Sequence, residues 1–268
     1  MSNTPATATV KCAICAAASV PHAFSKNGYE FFRCLQCGFV FLDPMPTEDM
    51  FHAIYNKGFR NSSAHFYPKA SSRRWRSFWK ALRFSRFLVG KSALDVGCGG
   101  GFMAHSFSLL GARAVGLDIS ESSIAYARAH FPRVSFFCEG FEAFAKRGLA
   151  FDFVFSTEVM EHLPGTRAFM SMVAAVTKPG GHVYIATPDC EHVAVPKHLP
   201  DWDQVEPPHH VQLFNKRNMV ALFAQYGFTL KTAYAKRRPA LSLLFSKRGV
   251  APERSSVSSS GLPGNCAG

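Results

Sequence analysis

The sequence predicts a doubly wound α/β fold, a mostly parallel seven-stranded sheet flanked by helices and preceded by a small metal-binding segment. Three observations carry that prediction. Ala93-Leu94-Asp95-Val96 is a short apolar strand running into Gly97-Cys98-Gly99-Gly100-Gly101 and then into a helix-compatible stretch at 102–110. A second apolar strand at 112–117 ends on Asp118, an acid placed where βαβ units hydrogen-bond a ribose, about 20 residues beyond the glycines. Strand-like and helix-like stretches then alternate, the pattern of helices packed on both faces of a sheet.

The totals agree. A chain of 268 residues with 47% hydrophobic composition has room for one sizeable domain and something small. No apolar run approaches the roughly 18 residues of a membrane span and no signal core opens the chain, so a cytoplasmic protein is expected. The net charge of +12 points to polyanionic company such as RNA, a phosphate-bearing substrate or an acidic membrane surface, or to a basic surface that is merely solvated. Oligomeric state is not legible.

Residues 1–10 are small and polar and are expected to fray. Cys12-Ala13-Ile14-Cys15 and Cys34-Leu35-Gln36-Cys37 then form two Cys-x2-Cys pairs at zinc-ribbon spacing. Four thiolates would close a tetrahedral structural zinc site and hold together a segment too short to build its own core. Disulfides or a redox pair are the competing readings; the first suits a reducing compartment poorly, and the second needs no matching second pair. Residues 38–42 read as a strand ending at Asp43-Pro44-Met45-Pro46, and 47–55 as a short capped helix. Between 69 and 91 stand Lys69, Arg73, Arg74, Arg76, Lys80, Arg83, Arg86 and Lys91 with no acid. Trp75, Phe78, Trp79 and Leu82 recur at helical spacing there, so the expectation is an amphipathic helix with its apolar side packed. Its basic side is either solvated or a phosphate-contacting surface beside the active-site mouth. Ser120 caps a helix to about 130, and strands follow at 134–138, 151–155 and 181–186, with a helix at 167–177. A helix at 215–226 and an antiparallel pair at 228–234 and 239–245 close the fold. The expected domains are a ribbon at 1–45, a helical linker at 46–90, the α/β domain at 91–246 and a disordered tail at 247–268.

Leu94-Asp95-Val96-Gly97-Cys98-Gly99-Gly100-Gly101, Gly116-Leu117-Asp118-Ile119-Ser120, the run from Phe151 through Ser156-Thr157-Glu158-Val159-Met160-Glu161-His162 and Lys178-Pro179-Gly180-Gly181 through Thr187-Pro188 occur in that order. The series resembles class I S-adenosylmethionine-dependent methyltransferases with a Rossmann-like fold, over roughly residues 90–240. A dehydrogenase would want Gly-x-Gly-x-x-Gly, which the contiguous glycines here do not follow. The resemblance implies cofactor contacts from Asp95, Gly97, Gly99, Asp118, Ile119, Gly140, Phe141, Ser156 and Glu158, with Asp118 on the ribose, Gly97 and Gly99 at the methionyl end, and Gly140 and Phe141 beside the adenine. Arg33-Cys34-x-x-Cys37-Gly38 followed by Asp43-Pro44-x-Pro46 resembles bacterial small-molecule methyltransferases with an N-terminal zinc ribbon, and implies a polar metabolite or sugar conjugate as acceptor. Sugar C-methyltransferases of that group usually carry a further C-terminal domain for which this sequence has no room, which weighs against C-methylation; an O-methyltransferase is the expectation, with N- and C-methylation not distinguished by sequence. An RNA methyltransferase and a non-catalytic cofactor-binding adaptor are the alternatives.

Acceptor chemistry should sit at the carboxyl ends of the fourth and fifth strands of the α/β domain. Glu158, Glu161 and His162 follow the fourth, and His209 and His210 lie in the long connection after the fifth, which could lid the site. Three readings stay open. One of the histidines is a general base; or Glu158, Glu161, His162 and His209 or His210 bind a second, divalent metal, an arrangement similar to small-RNA 2′-O-methyltransferases and quinone-biosynthesis O-methyltransferases; or Glu161-His162 simply caps a turn against the cofactor.

Overall fold

The computed structural model describes residues 10–47, 67 and 69–249. Seven strands form the central sheet: β4 (Ser92–Val96), β5 (Arg113–Asp118), β6 (Ser135–Cys138), β7 (Phe151–Thr157), β8 (Thr177–Pro188), β10 (Phe228–Ala233) and β11 (Ala240–Lys247). Their order is β10-β11-β8-β7-β4-β5-β6, with β8, β7, β4, β5 and β6 parallel and the β10–β11 pair antiparallel at one edge. The doubly wound, Rossmann-like architecture is therefore present as expected. The strand order reverses between β4 and β7, which opens a crevice above their carboxyl ends. The glycine turn leaves β4 at that place.

Alternation along β7 decides which side chains fill each layer. Phe153 and Phe155 are buried with Phe84, Phe107 and Tyr184 on one face of the sheet, while Val154 joins Leu94, Val96, Phe169 and Val173 on the other. The first face is closed by α1 (Ala70–Leu82) and α2 (Phe102–Leu109), and α3 (Glu121–His130) covers β5 and β6. Ser120 caps α3 by accepting from Ser123 N–H at 3.3 Å, as its position before the helix predicted. Two further helices, α4 (Phe141–Ala145) and α5 (Arg167–Val176), pack on the second face, and α6 (Lys216–Gln225) leads into β10.

The cysteine segment is a second, four-stranded sheet. It comprises β1 (His22–Lys26), β2 (Tyr29–Arg33), β3 (Val40–Leu42) and β9 (Gln212–Leu213), the last supplied from far along the chain. The β1–β2 hairpin went unpredicted, although Asn27-Gly28 between two strand-like runs is a turn signature, and both residues have positive φ.

Two expectations need correction. In α1, Trp75 and Trp79 are 62% and 53% exposed, with their rings paired edge-on at 5.3 Å, whereas Arg73, Arg76 and Lys80 line a cleft. The small Ala81 is fully buried there, and the Arg74 guanidinium lies 5.0 Å from the centre of the Phe131 ring. Close approach at a small residue and cation–π stacking thus outweighed the tryptophans as anchors. At the other end, Lys247 belongs to β11 rather than to a tail: its ammonium donates to the Ala174 and Thr177 carbonyls at 2.6 and 2.7 Å. The expected helix at 47–55 falls, beyond Thr47, outside the described residues, as does the chain from 250 onward.

Candidate active site

The turn after β4 is shaped by what it must let pass. Gly97 has φ +72, and a Cβ there would strike the Val159 side chain, so only glycine permits both the turn and the approach of the segment that follows β7. Asp118, at the end of β5, folds back over the same turn: its Oδ2 accepts from Gly99 N–H at 2.8 Å and its Oδ1 from Ser120 N–H at 2.9 Å. Burial pushes its pKa up, and these two N–H donors act against that shift. The Asp95 carboxyl lies one turn below, accepting from Ala104 N–H at 3.2 Å, and burial raises its pKa to about 7. Ile119, beside Asp118, is 50% exposed, and Cys138 Sγ approaches its carbonyl at 3.6 Å. Gly140 precedes α4 in open space, and Phe141 packs edge-on against Phe169. Ser156 is buried with its hydroxyl unpartnered, and it is its neighbours Phe155 and Thr157 that face the cleft.

That cleft, about 290 Å³, runs between Asp95, Gly97 and Cys98 on one wall and Arg73, Arg76 and Lys80 on the other. Bare backbone, the Asp95 carboxyl and the Arg73 and Arg76 guanidinium groups suit a zwitterionic amino acid joined to a nucleoside. Two of its residues, Lys80 and Arg73, and Tyr67 beside the glycine turn were not singled out for this role. Lys80 stands 5.0 Å from the centre of the Phe155 ring; burial lowers its pKa, and the charges of Asp95 and Glu158 oppose that. Tyr67 donates to Ser123 Oγ at 3.2 Å and lies so close to Gly100 that a Cβ there would meet its ring at 2.5 Å. Arg73 sits 5.5 Å from the centre of that ring. The acid-free run signalled Arg73 and Lys80, while nothing in the sequence marked Tyr67.

Beyond Thr157 the chain turns sharply. Glu158 adopts φ +56, a left-handed conformation costly for a side-chain-bearing residue and concentrated at functional sites. A single 3-10 turn then spans Met160–His162. Glu161 is wholly buried; its Oε2 accepts from Thr187 Oγ1 at 2.8 Å, and its Oε1 finds no donor. The Glu158 carboxyl lies within hydrogen-bond reach of Glu161, and burial together with that neighbour raises its pKa to about 7. Burial raises Glu161 as well.

His162 Nδ1 donates to the His209 carbonyl at 2.9 Å and His210 Nδ1 to the Gln204 carbonyl at 2.8 Å, with the two rings 4.6 Å apart. Burial lowers both imidazole pKa values and favours the neutral forms. Glu161, His162 and His210 each offer one ligand atom within 4.8 Å of the others. A buried carboxylate, a second carboxyl within hydrogen-bond reach of it and two neutral imidazoles together make a donor set for a first-row divalent cation. Of the two later histidines, His210 enters the cluster. The His209 side chain is exposed, and only its carbonyl takes part.

The four cysteines converge too. Sγ separations are 3.6 Å for Cys12–Cys37 and 3.4 Å for Cys15–Cys34, and all four lie within 4.8 Å of one another. A tetrahedron with Zn–S bonds of about 2.3 Å would place its sulfurs about 3.8 Å apart, so the set fits zinc.

A methyltransferase-domain family model matches residues 67–233, more than half of the chain. The chain belongs to that family. It is 38% identical over 104 residues to a ubiquinone biosynthesis O-methyltransferase of Sinorhizobium medicae, covering 37% of this chain and 42% of that one. Against the enzyme of the same name from Rhodopseudomonas palustris it is 30% identical over 170 residues, 57% of this chain and 66% of the relative. The chain thus spans between about two fifths and two thirds of the length of these relatives. Among solved structures, an S-adenosylmethionine-dependent methyltransferase from Mesorhizobium loti superposes with a TM-score of 0.53 at 19% identity, over 64% of this chain and 98% of that one. TehB from Haemophilus influenzae gives 0.51 at 18% identity over 63% and 62%. At such identities these two show the shared fold.

Proposed function

We propose that this methyltransferase moves the methyl group of S-adenosylmethionine to a hydroxyl of a small molecule, and that Glu158, Glu161, His162 and His210 form the acceptor side of its cleft with a divalent cation. The observation that carries the reading is the fully buried Glu161, one oxygen fixed by Thr187 and the other unsatisfied, at the centre of a ligand-like set beside the cofactor cleft. Leaving a buried carboxylate oxygen without a donor is costly unless a cation or proton takes it. The relatives' name, an O-methyltransferase of ubiquinone biosynthesis, supports a hydroxyl acceptor.

Methyl transfer is an in-line displacement: the acceptor O–CH₃ bond forms as the S–CH₃ bond breaks, leaving a neutral thioether. The protein therefore supplies alignment and a destination for the hydroxyl proton. Arg73 and Arg76 would hold the methionyl carboxylate, and Asp118 the ribose hydroxyls. A bound divalent cation would lower the pKa of the acceptor hydroxyl. His162 and His210, each with Nδ1 committed to a carbonyl, would present Nε2 as ligand or proton acceptor. The four cysteines would hold a structural zinc.

The test is turnover of labelled S-adenosylmethionine with a panel of small hydroxylated acceptors, after treatment with a chelator mild enough to leave one zinc per chain. The expected product is a methyl ether, with turnover lost on chelation and restored by added Mn²⁺ or Co²⁺. Full turnover with the ribbon zinc as the sole metal would refute the cation and leave a histidine as the base. Absence of any methylated product despite measurable cofactor binding would refute catalysis.

A further inference from the structure

We infer that the cysteine ribbon sets the geometry of the acceptor side of the cleft, with Asn215 as the positioning residue that joins the two. The ribbon's sheet is incomplete without β9, which pairs with β3 through Val40↔Leu213 and Phe41↔Gln212 and follows His209 and His210 after one residue, Val211. A two-residue strand cannot order itself, so its position is borrowed from its partners.

The connection runs through named bonds. Leu42 N–H donates to the Val211 carbonyl at 3.0 Å, and Val211 N–H donates to the Glu161 carbonyl at 2.9 Å. A backbone path of two hydrogen bonds thus leads from the ribbon to the turn that carries Glu161 and His162. Gln212, 2% exposed, adds a side-chain bond from Nε2 to the Leu163 carbonyl, clamping the other end of the same turn.

Asn215 grips the second cysteine pair. Its Nδ2 donates to the Cys37 carbonyl at 3.1 Å while its Oδ1 accepts from Asn218 N–H at 2.8 Å as the N-cap of α6. Gly38, at φ +74, lies directly beneath this amide, where a Cβ would collide with it. On the other pair, Gln225 donates to the Ile14 carbonyl at 2.6 Å. Both ends of α6 are therefore tied to the cysteine turns. Among the described residues, no hydrogen bond joins 10–46 to the cofactor-side stretch 95–118.

A segment of this kind, held by four thiolates around zinc, loses its order with the metal. Zinc loss then frees β9 and lets His210 and the Glu161 turn move, while the glycine turn and Asp118 stay in place. The catalytic consequence rests on the proposed acceptor-side role of Glu161, His162 and His210; the coupling itself does not.

Hydrogen exchange of the full chain, zinc-loaded and zinc-depleted under reducing conditions, reads the coupling directly. Amides at 209–214 should exchange at least about tenfold faster without zinc, and those at 95–118 within about twofold of the loaded protein. Unchanged exchange at 209–214, or equal loss at 95–118, overturns the inference, the latter because the ribbon would then stabilise the whole molecule. Asn215→Asp keeps the cap acceptor and removes the 3.1 Å donor to the Cys37 carbonyl, leaving only the longer 3.5 Å bond from Asn218 Nδ2. It should retain one zinc per chain and its affinity for S-adenosylhomocysteine while exchange at 209–214 rises; wild-type exchange in this variant counts against Asn215. Failure of divalent ions to stimulate turnover would refute the cation reading without altering either exchange pattern.

Discussion

Asp118 offers the sharpest measurement, because it ties the glycine turn to the start of α3 and is also the acid proposed to meet the cofactor's ribose. Its carboxylate accepts from Gly99 N–H at 2.8 Å and from Ser120 N–H at 2.9 Å, linking the glycine turn to the start of α3. A hydrogen bond to a charged group contributes about 1.5–3 kcal/mol, but burial, which raises the pKa of this acid, takes back part of that. Asp118→Ala should therefore lower the stability of the ligand-free protein by about 1–3 kcal/mol, less than two charged bonds would suggest. It should weaken binding of S-adenosylhomocysteine by a further 1–3 kcal/mol or so, about 5- to 150-fold in Kd. Titration calorimetry reads the affinity and thermal denaturation the stability. Asp118→Asn keeps the shape but turns an amide toward one of the two N–H groups, so its affinity should fall between wild type and Asp118→Ala. An unchanged Kd in Asp118→Ala would show that the acid serves the turn alone and that the cofactor is bound elsewhere.

Three further outcomes follow from the same geometry. Gly97→Ala forces a side chain into positive φ against Val159; it should cost about 1–3 kcal/mol of stability in thermal denaturation and abolish measurable cofactor binding. Asp95, fully buried and raised to about 7, carries an ionisation penalty absent below about pH 4 that grows as pH rises toward 7. Asp95→Asn should thus be more stable than wild type at pH 8, by up to about 4 kcal/mol in urea titrations, yet bind cofactor more weakly; lower stability at pH 8 would contradict the burial argument. Asp152 accepts from Ser92 N–H, Ser92 Oγ and Lys178 Nζ at 2.9, 2.7 and 2.8 Å, which holds its pKa below the usual carboxylate range against the opposing effect of burial. Its contribution is present above about pH 4 and fades as pH falls through the depressed value, so Asp152→Asn should cost about 1–2 kcal/mol at pH 7, the partial exposure of both partners moderating the effect, and progressively less toward pH 2.

The glycine turn, Asp118 and the two cysteine pairs were legible in the sequence because each is a short-range demand. A tight turn needs glycine wherever it occurs, an acid ends the next parallel strand at βαβ distance, and two Cys-x2-Cys knuckles carry their ligand spacing in the local sequence. The strand and helix order was legible for a related reason: hydrophobic period records which faces are covered. What covers them is another matter. Equal periodic claims from Trp75 and Trp79 and from the basic side of α1 were settled by contacts with Phe131, Tyr67 and the cleft, and the tryptophans were left outside. The choice of His210 over His209, the left-handed Glu158 and the loan of β9 to the ribbon likewise depend on partners tens to more than a hundred residues away. Local composition carries no signal for such pairings, since the free energy that selects them arises only when distant surfaces are packed together and their buried polar groups must find donors.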